Sequence, residues 1–266
     1  VNTRRERRPV PPVAITLASL GTLLLALPVV ALLQRAPWSS LWGDITSAST
    51  LTALRLSLVC SVGAAAIAIV LGVPLAWVLA RVVFRGRAVV RALVLVPLVL
   101  PPVVGGVALL LAFGRRGLVG QWLDRWFAVR LPFSTAGAMF AEAFVALPFL
   151  VLAVEAGLRS TDPRLDDAAA SLGASRWTGF RRVTLPAIRP ALVAGAALAW
   201  ARALGEFGAT ITFAGNFPGR TQTLPLAVYQ ALEIDTGSAI AISVLLLLVS
   251  FGVLVALRGR WLGGNQ

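Results

Sequence analysis

Six blocks of roughly 20 or more apolar residues each constrain this chain more than any other feature, because each is long enough to cross a bilayer as a helix. They run from about Val13 to Leu33, Leu51 to Ala80, Ala92 to Phe113, Thr135 to Leu158, Pro190 to Phe213 and Ser238 to Leu257. Composition agrees: of 266 residues, 58% are hydrophobic and only 13% charged. A soluble domain carries about 45–50% apolar and about 25% charged residues. Water would not tolerate the excess, whereas lipid takes apolar side chains as its proper surface. A backbone inside lipid must satisfy its own hydrogen bonds, so the blocks are expected to be helices. The alternating segments of about ten residues that build a membrane β-barrel are not seen. The expected fold class is an all-α membrane protein with six transmembrane helices.

The arginines predict the orientation, since cytoplasmic connectors collect basic residues. With the N-terminus inside, the inner segments hold Arg4, Arg5, Arg7, Arg8, Arg81, Arg85, Arg87, Arg91, Arg159, Arg164, Arg176, Arg181, Arg182, Arg189, Arg258 and Arg260. The outer segments hold only Arg35, Arg115, Arg116, Arg125, Arg130 and Arg220. Both termini are therefore expected to be cytoplasmic. Four of the outer arginines crowd between Gly114 and Leu131, where Trp122, Trp126 and Phe127 suggest a short segment held at headgroup level. The first block is read as an uncleaved helix, because a signal peptide has a shorter apolar region and a small-residue cleavage site. The expected division is a basic tail at 1–12, a first helix and outer loop at 13–50, a transmembrane domain at 51–258 with a structured inner loop at about 159–189, and a tail at 259–266.

Several chemistries are disfavoured. There is no histidine and a single cysteine, so the commonest general base and a cysteine-based metal cluster are both missing. Cys60 lies in an apolar run and reads as a small buried hydrophobe. The net charge of +13 could suggest nucleic acid, but the arginines fall between apolar blocks, where topology places them. The chain has no lysine, so no phosphate loop of the Gly-x-x-x-x-Gly-Lys-Ser/Thr kind is present.

The inner loop carries helix signals. Thr161 or Asp162 can cap, Pro163 suits a first helical position, and Asp166 and Asp167 favour the N-terminal dipole. A short helix over Leu165–Leu172 ending at Gly173 is expected, followed by a second over Ser175–Arg182. Gly173 permits a left-handed turn, and Ala168, Ala169 and Ala170 give a thin helix face. Arg176, Arg181 and Arg182 can pair with an acidic partner or lipid phosphates, while Pro186 and Pro190 are expected to stop a long helix and set where the fifth span begins. The order acid-Ala-Ala, three residues, Gly, nine residues, then Val183-Thr184-Leu185-Pro186 resembles the coupling signature of ABC-type import permeases, with Asp167 where the family usually has Glu. The resemblance implies that Asp166, Asp167, Ala168, Ala169, Gly173, Arg176, Leu185 and Pro186 dock onto an ATP-binding subunit.

A second stretch is Gly205-Glu206-Phe207-Gly208-Ala209-Thr210, followed by Phe213-Ala214-Gly215-Asn216-Phe217-Pro218-Gly219-Arg220-Thr221-Gln222-Thr223-Leu224-Pro225. It resembles molybdate permease subunits, and less closely their sulfate relatives. The resemblance runs from about Leu51 to the end. Glu206 is a costly carboxylate beside a span, and Arg202 lies four residues earlier on the same helical face. Either a structural ion pair against a dimer partner or a gate in the path fits it. Thr210, Thr212 and nearby backbone N–H groups suit an oxyanion better than a carboxylate does, and Gly205 and Gly208 allow close helix approach. Glu142 and Glu155 read as structural, the latter with Arg159 at i+4. Arg55 either snorkels or forms a positive lip. The run Val96–Pro102 must bend the third helix, and such a helix lines the path in these permeases.

The resemblance implies a permease subunit with no cofactor of its own and no enzymatic chemistry. ATP and Mg would belong to two separate ATP-binding subunits, and an extracytoplasmic oxyanion-binding protein would supply most of the selectivity. A second copy of the chain would complete the path. Sulfate or tungstate stays open as the cargo. A stand-alone secondary transporter is disfavoured, since it needs no docking helix.

Overall fold

The computed structural model describes residues 11–162 and 164–261, and among them there is no strand. The chain runs through α1 (Pro12–Gln34), α2 (Leu41–Thr46), α3 (Ala48–Arg81), α4 (Arg87–Val99), α5 (Pro102–Phe113), α6 (Gly120–Phe127) and α7 (Thr135–Ser160). It continues through α8 (Arg164–Ser171), α9 (Arg176–Gly179), a π-turn (Phe180–Thr184), α10 (Leu185–Leu204), α11 (Gly208–Ala214), α12 (Leu224–Ile234) and α13 (Thr236–Trp261). Among the described residues, five stretches are long and apolar enough to cross a membrane: Pro12–Gln34, Ala48–Arg81, Thr135–Ser160, Arg176–Leu204 and Thr236–Val253. The arginines of the N-terminal tail and the Pro163 signal lie outside the described residues.

The body is built on α3 against α7, with α10 laid across both. Lipid offers no hydrophobic reward for bringing helices together, so small residues that let backbones approach carry the packing. Ala64, Ala68 and Ala76 of α3 meet Ala143 and Ala146 of α7 and Ala199 and Ala203 of α10, with Leu150, Val154 and Leu158 filling between. A Cβ on Gly195 would stand 2.9 Å from that of Ala153, so α10 reaches α7 only through a glycine. On one flank α12 and α13 pair and pack on α3. On the other, α5 and α11 pair and pack on α7 through Leu109, Ala141, Val145, Ala209 and Phe213. Helix α1 buries none of its residues and leans on α13.

Three expectations change. The third block is not one bent helix. Leu100 is extended, Pro101 caps and Pro102 opens α5, because two consecutive prolines remove two donors and push the preceding residue out of helical space. The fifth block was expected over Pro190–Phe213, started by Pro186 and Pro190. Instead helix runs continuously from Arg176 to Leu204 with Pro190 inside it. The π-turn explains how: Leu185 N–H bonds the Phe180 carbonyl five residues back, widening the turn just before Pro186, whose ring would crowd a normal turn. That block then stops at Leu204 and resumes only as α11. Helix α12, which falls between the fifth and sixth apolar blocks, is the third difference; its Leu224 N–H donates to Ser57 Oγ of α3 at 2.7 Å.

Candidate functional site

The inner loop folds as two short helices. Asp162 Oδ1 accepts from Arg164 N–H at 2.9 Å, so Asp162 is the residue that caps α8. At the other end, Ala174 N–H bonds the Ala169 carbonyl and Gly173 N–H bonds the Ala170 carbonyl, with Gly173 at φ +80°. This is a Schellman termination, and it requires the left-handed residue that only glycine adopts cheaply. Ser175 then caps α9 by accepting from Thr178 N–H at 3.2 Å. Ala169 turns toward Gly179 of α9, while Asp167, Ala168, Ala170 and Arg176 stay exposed; the Asp166 side chain lies outside the described residues. Leu172 is 89% exposed and Trp177, stacked on Phe180, is 69% exposed. Leu185 is half-buried and Pro186 exposed where the π-turn enters α10. The predicted coupling residues therefore form one small projecting unit with an uncovered apolar edge.

The second group sits at the break between α10 and α11. Glu206 is 1% exposed, and its Oε2 lies 2.6 Å from Arg202 Nη2. Its Oε1 accepts from Ala209 N–H at 2.9 Å. The carboxylate thus holds both sides of the break: it pairs with the last turn of α10 and caps the first turn of α11. Gly208 lets α11 touch the start of α5, since a Cβ there would stand 2.6 Å from the Pro102 Cβ. Gly106 does the same opposite Thr212 and the Ala209 carbonyl. The two broken helices therefore meet at their breaks. Gly205 meets no close neighbour within this chain: it is the exposed C-cap of α10, with only the Ala201 carbonyl near its Cβ position. Thr210 is fully buried with its hydroxyl unpaired, and Thr212 donates to the Gly208 carbonyl at 2.9 Å.

Three groups named from sequence find partners that sequence spacing did not indicate. Glu142 of α7 is 1% exposed, has one carboxyl oxygen without a hydrogen-bond partner, and lies near enough to Glu206 for the two groups to interact electrostatically. Glu142 and Glu206, both carboxyls in or beside apolar blocks, were the available signal. Glu155 pairs with Arg159 at 2.9 Å as expected, and also with Arg91 of α4, which no helical spacing could indicate. The segment after α11 is folded in rather than left as a loop: Thr221 Oγ donates to the Gly215 carbonyl and accepts from Phe217 N–H, and Thr135 of α7 donates to the Arg220 carbonyl at 2.7 Å. Cys60 is buried and free, as expected.

Comparison with known proteins places these elements in context. The family described as binding-protein-dependent transport system inner membrane component matches residues 68–263. The chain is 46% identical over 245 residues to the molybdenum transport system permease protein ModB of Mycobacterium tuberculosis, covering 91% of this chain and 92% of that protein. It is 37% identical over 263 residues to the sulfate transport system permease protein CysT of Escherichia coli, covering 93% and 95%. In structure it is similar to a bacterial ABC transporter involved in import of the acidic polysaccharide alginate, with a TM-score of 0.72 over 95% of each chain at 19% identity.

Proposed function

Because the chain belongs to the family of binding-protein-dependent transport system inner membrane components, we propose that it is the membrane-spanning permease of an ATP-driven importer that carries molybdate. The observation that carries the coupling half of this reading is the projecting α8–α9 unit. Its Schellman turn, exposed Leu172 and exposed Trp177 form an edge that nothing among the described residues covers. An ATP-binding subunit is the partner, with Asp167, Ala168, Ala169, Gly173, Arg176, Leu185 and Pro186 as the docking unit. The cargo half rests on the greater likeness to a molybdenum permease than to a sulfate permease.

In this reading two copies of the chain form the path, with two ATP-binding subunits beneath the pair and one extracytoplasmic oxyanion-binding protein above it. ATP and its Mg stay in the partner subunits. In this reading α8 and both termini lie in the cytoplasm, which the arginine distribution supports. The α10–α11 break, with Arg202, Gly205, Glu206, Gly208, Thr210 and Thr212, lies along the path. Glu206 positions α11 rather than touching the anion, which a carboxylate would repel.

Uptake of labelled molybdate into vesicles holding the chain, its ATPase and its binding protein tests both halves. ATP-dependent uptake that excess sulfate leaves intact, and that Gly173→Asp abolishes, is the expected result. Sulfate uptake without molybdate uptake would overturn the cargo alone. Uptake without the ATPase would overturn the coupling.

A further inference from the structure

The connector between α5 and α7 concentrates basic charge at the end of the molecule opposite α8, since α7 spans the distance from one to the other. Arg115, Arg116, Arg125 and Arg130 line one recess of about 630 Å³ with Gln121 and Asp124. Asp124 accepts from Arg115 at 3.1 Å and from Arg130 at 2.8 Å. One carboxylate thus faces four guanidinium groups, all four on exposed residues. Arg116 and Arg125 have no carboxylate partner among the described residues; Arg125 lies over the Trp122 ring, 5.5 Å from its centroid.

Beside this recess α6 presents a second chemistry. Trp122 and Trp126, one turn apart, have ring centroids 5.2 Å apart, and both are exposed together with Phe127. Exposed indole rings prefer the boundary between headgroup and acyl chain. A basic recess bordering an aromatic edge matches a ligand that is anionic at one end and apolar at the other. A soluble anion would need only the arginines, and an acidic protein surface would not need three exposed aromatic rings at the membrane boundary.

We propose that this recess binds the phosphate of an anionic phospholipid, with Arg116 and Arg125 taking the headgroup and Trp122, Trp126 and Phe127 lying along the glycerol and acyl carbons. Arg115 and Arg130 are committed to Asp124 and shape the recess. A zwitterionic lipid fits less well, because its own cation meets uncompensated guanidinium charge. The site explains why a connector on this side tolerates four arginines against the usual distribution.

The test is native mass spectrometry of the purified full-length chain with phosphatidylglycerol or phosphatidylcholine. Arg116→Gln with Arg125→Gln leaves both Asp124 ion pairs in place and preserves the connector. Phosphatidylglycerol should be retained over phosphatidylcholine, and the double variant should weaken that retention by about thirtyfold, the loss expected for two basic groups at an anionic surface. Arg116→Lys with Arg125→Lys should keep it. Equal retention of the two lipids, or no change in the Gln variant, overturns the proposal. So does an equal loss in the Lys variant, which assigns the effect to fold. Displacement of the lipid by millimolar inorganic phosphate would make the recess a free-anion site. Loss of binding-protein association with lipid retention unchanged would make it a protein contact. Either result also overturns the lipid assignment, and neither bears on the uptake experiment that tests the cargo.

Discussion

Replacing Arg202 or Glu206 should not be symmetrical, although they form one ion pair. Glu206 is 1% exposed, whereas the Arg202 side chain is 29% exposed. Arg202→Gln strands a carboxylate that has no route to water, and removing one partner of a buried pair costs about 3–5 kcal/mol. Glu206→Gln strands a guanidinium that can turn toward solvent, and the new amide oxygen can still accept from Ala209 N–H. The loss is then nearer that of one hydrogen bond to a charged group, about 1.5–3 kcal/mol. Glu206→Ala should cost about 1 kcal/mol more than Glu206→Gln, because α11 also loses its cap. The double variant Arg202→Gln, Glu206→Gln should recover part of the Arg202→Gln loss, with an interaction energy of about 1–3 kcal/mol. For a chain of this size each kcal/mol moves the thermal midpoint by roughly 2–4 °C. Thermal unfolding of the four purified variants in one detergent therefore gives the ranking directly. Glu206→Gln falling as far as Arg202→Gln would refute the burial argument. Glu206→Ala matching Glu206→Gln would refute the capping role.

Gly173→Ala meets no steric neighbour, so its cost of about 1 kcal/mol comes from the left-handed turn; it should lower coupled ATPase activity while moving the thermal midpoint by only about 2–4 °C. Gly208→Ala drives a Cβ toward Pro102 and should cost about 1–3 kcal/mol in thermal unfolding, with Gly205→Ala nearly neutral beside it. The hydrogen bond from Arg130, helped by Arg115, holds the Asp124 carboxyl below the ordinary carboxylate range. A lowered value in the folded state means that the tie is fully present above the unfolded value and is lost as pH falls through the folded one. Acid titration followed by tryptophan fluorescence should show this release, and Asp124→Asn should remove it.

The long spans could be read from sequence because lipid imposes a minimum length and forbids unpaired backbone, so Ala48–Arg81 and Thr135–Ser160 announce themselves. Breaks were harder. Pro101-Pro102 was visible, but whether a chain bends or parts there depends on what it meets, and Pro102 meets Gly208. Pro186 and Pro190 looked like stops, yet a π-turn absorbs the first and α10 simply contains the second. The break at Gly205–Phe207 has no proline to mark it, and only Glu206 bonding in two directions explains it. In the inner loop the cap at Thr161 or Asp162 and the turn at Gly173 were legible because caps and left-handed turns are local. The Arg91–Glu155 and Glu142–Glu206 relations were not, since each joins residues from helices distant in sequence.

The π-turn has a mechanical consequence. Helix from Arg176 to Leu204 covers 29 residues, a strut of about 43 Å with no loop along it to take up slack. A lengthwise push at Trp177 has one unbroken run of helix along which to reach Arg202. The first joint the movement meets is Gly205–Phe207, where one buried carboxylate grips the strut on one side and α11 on the other.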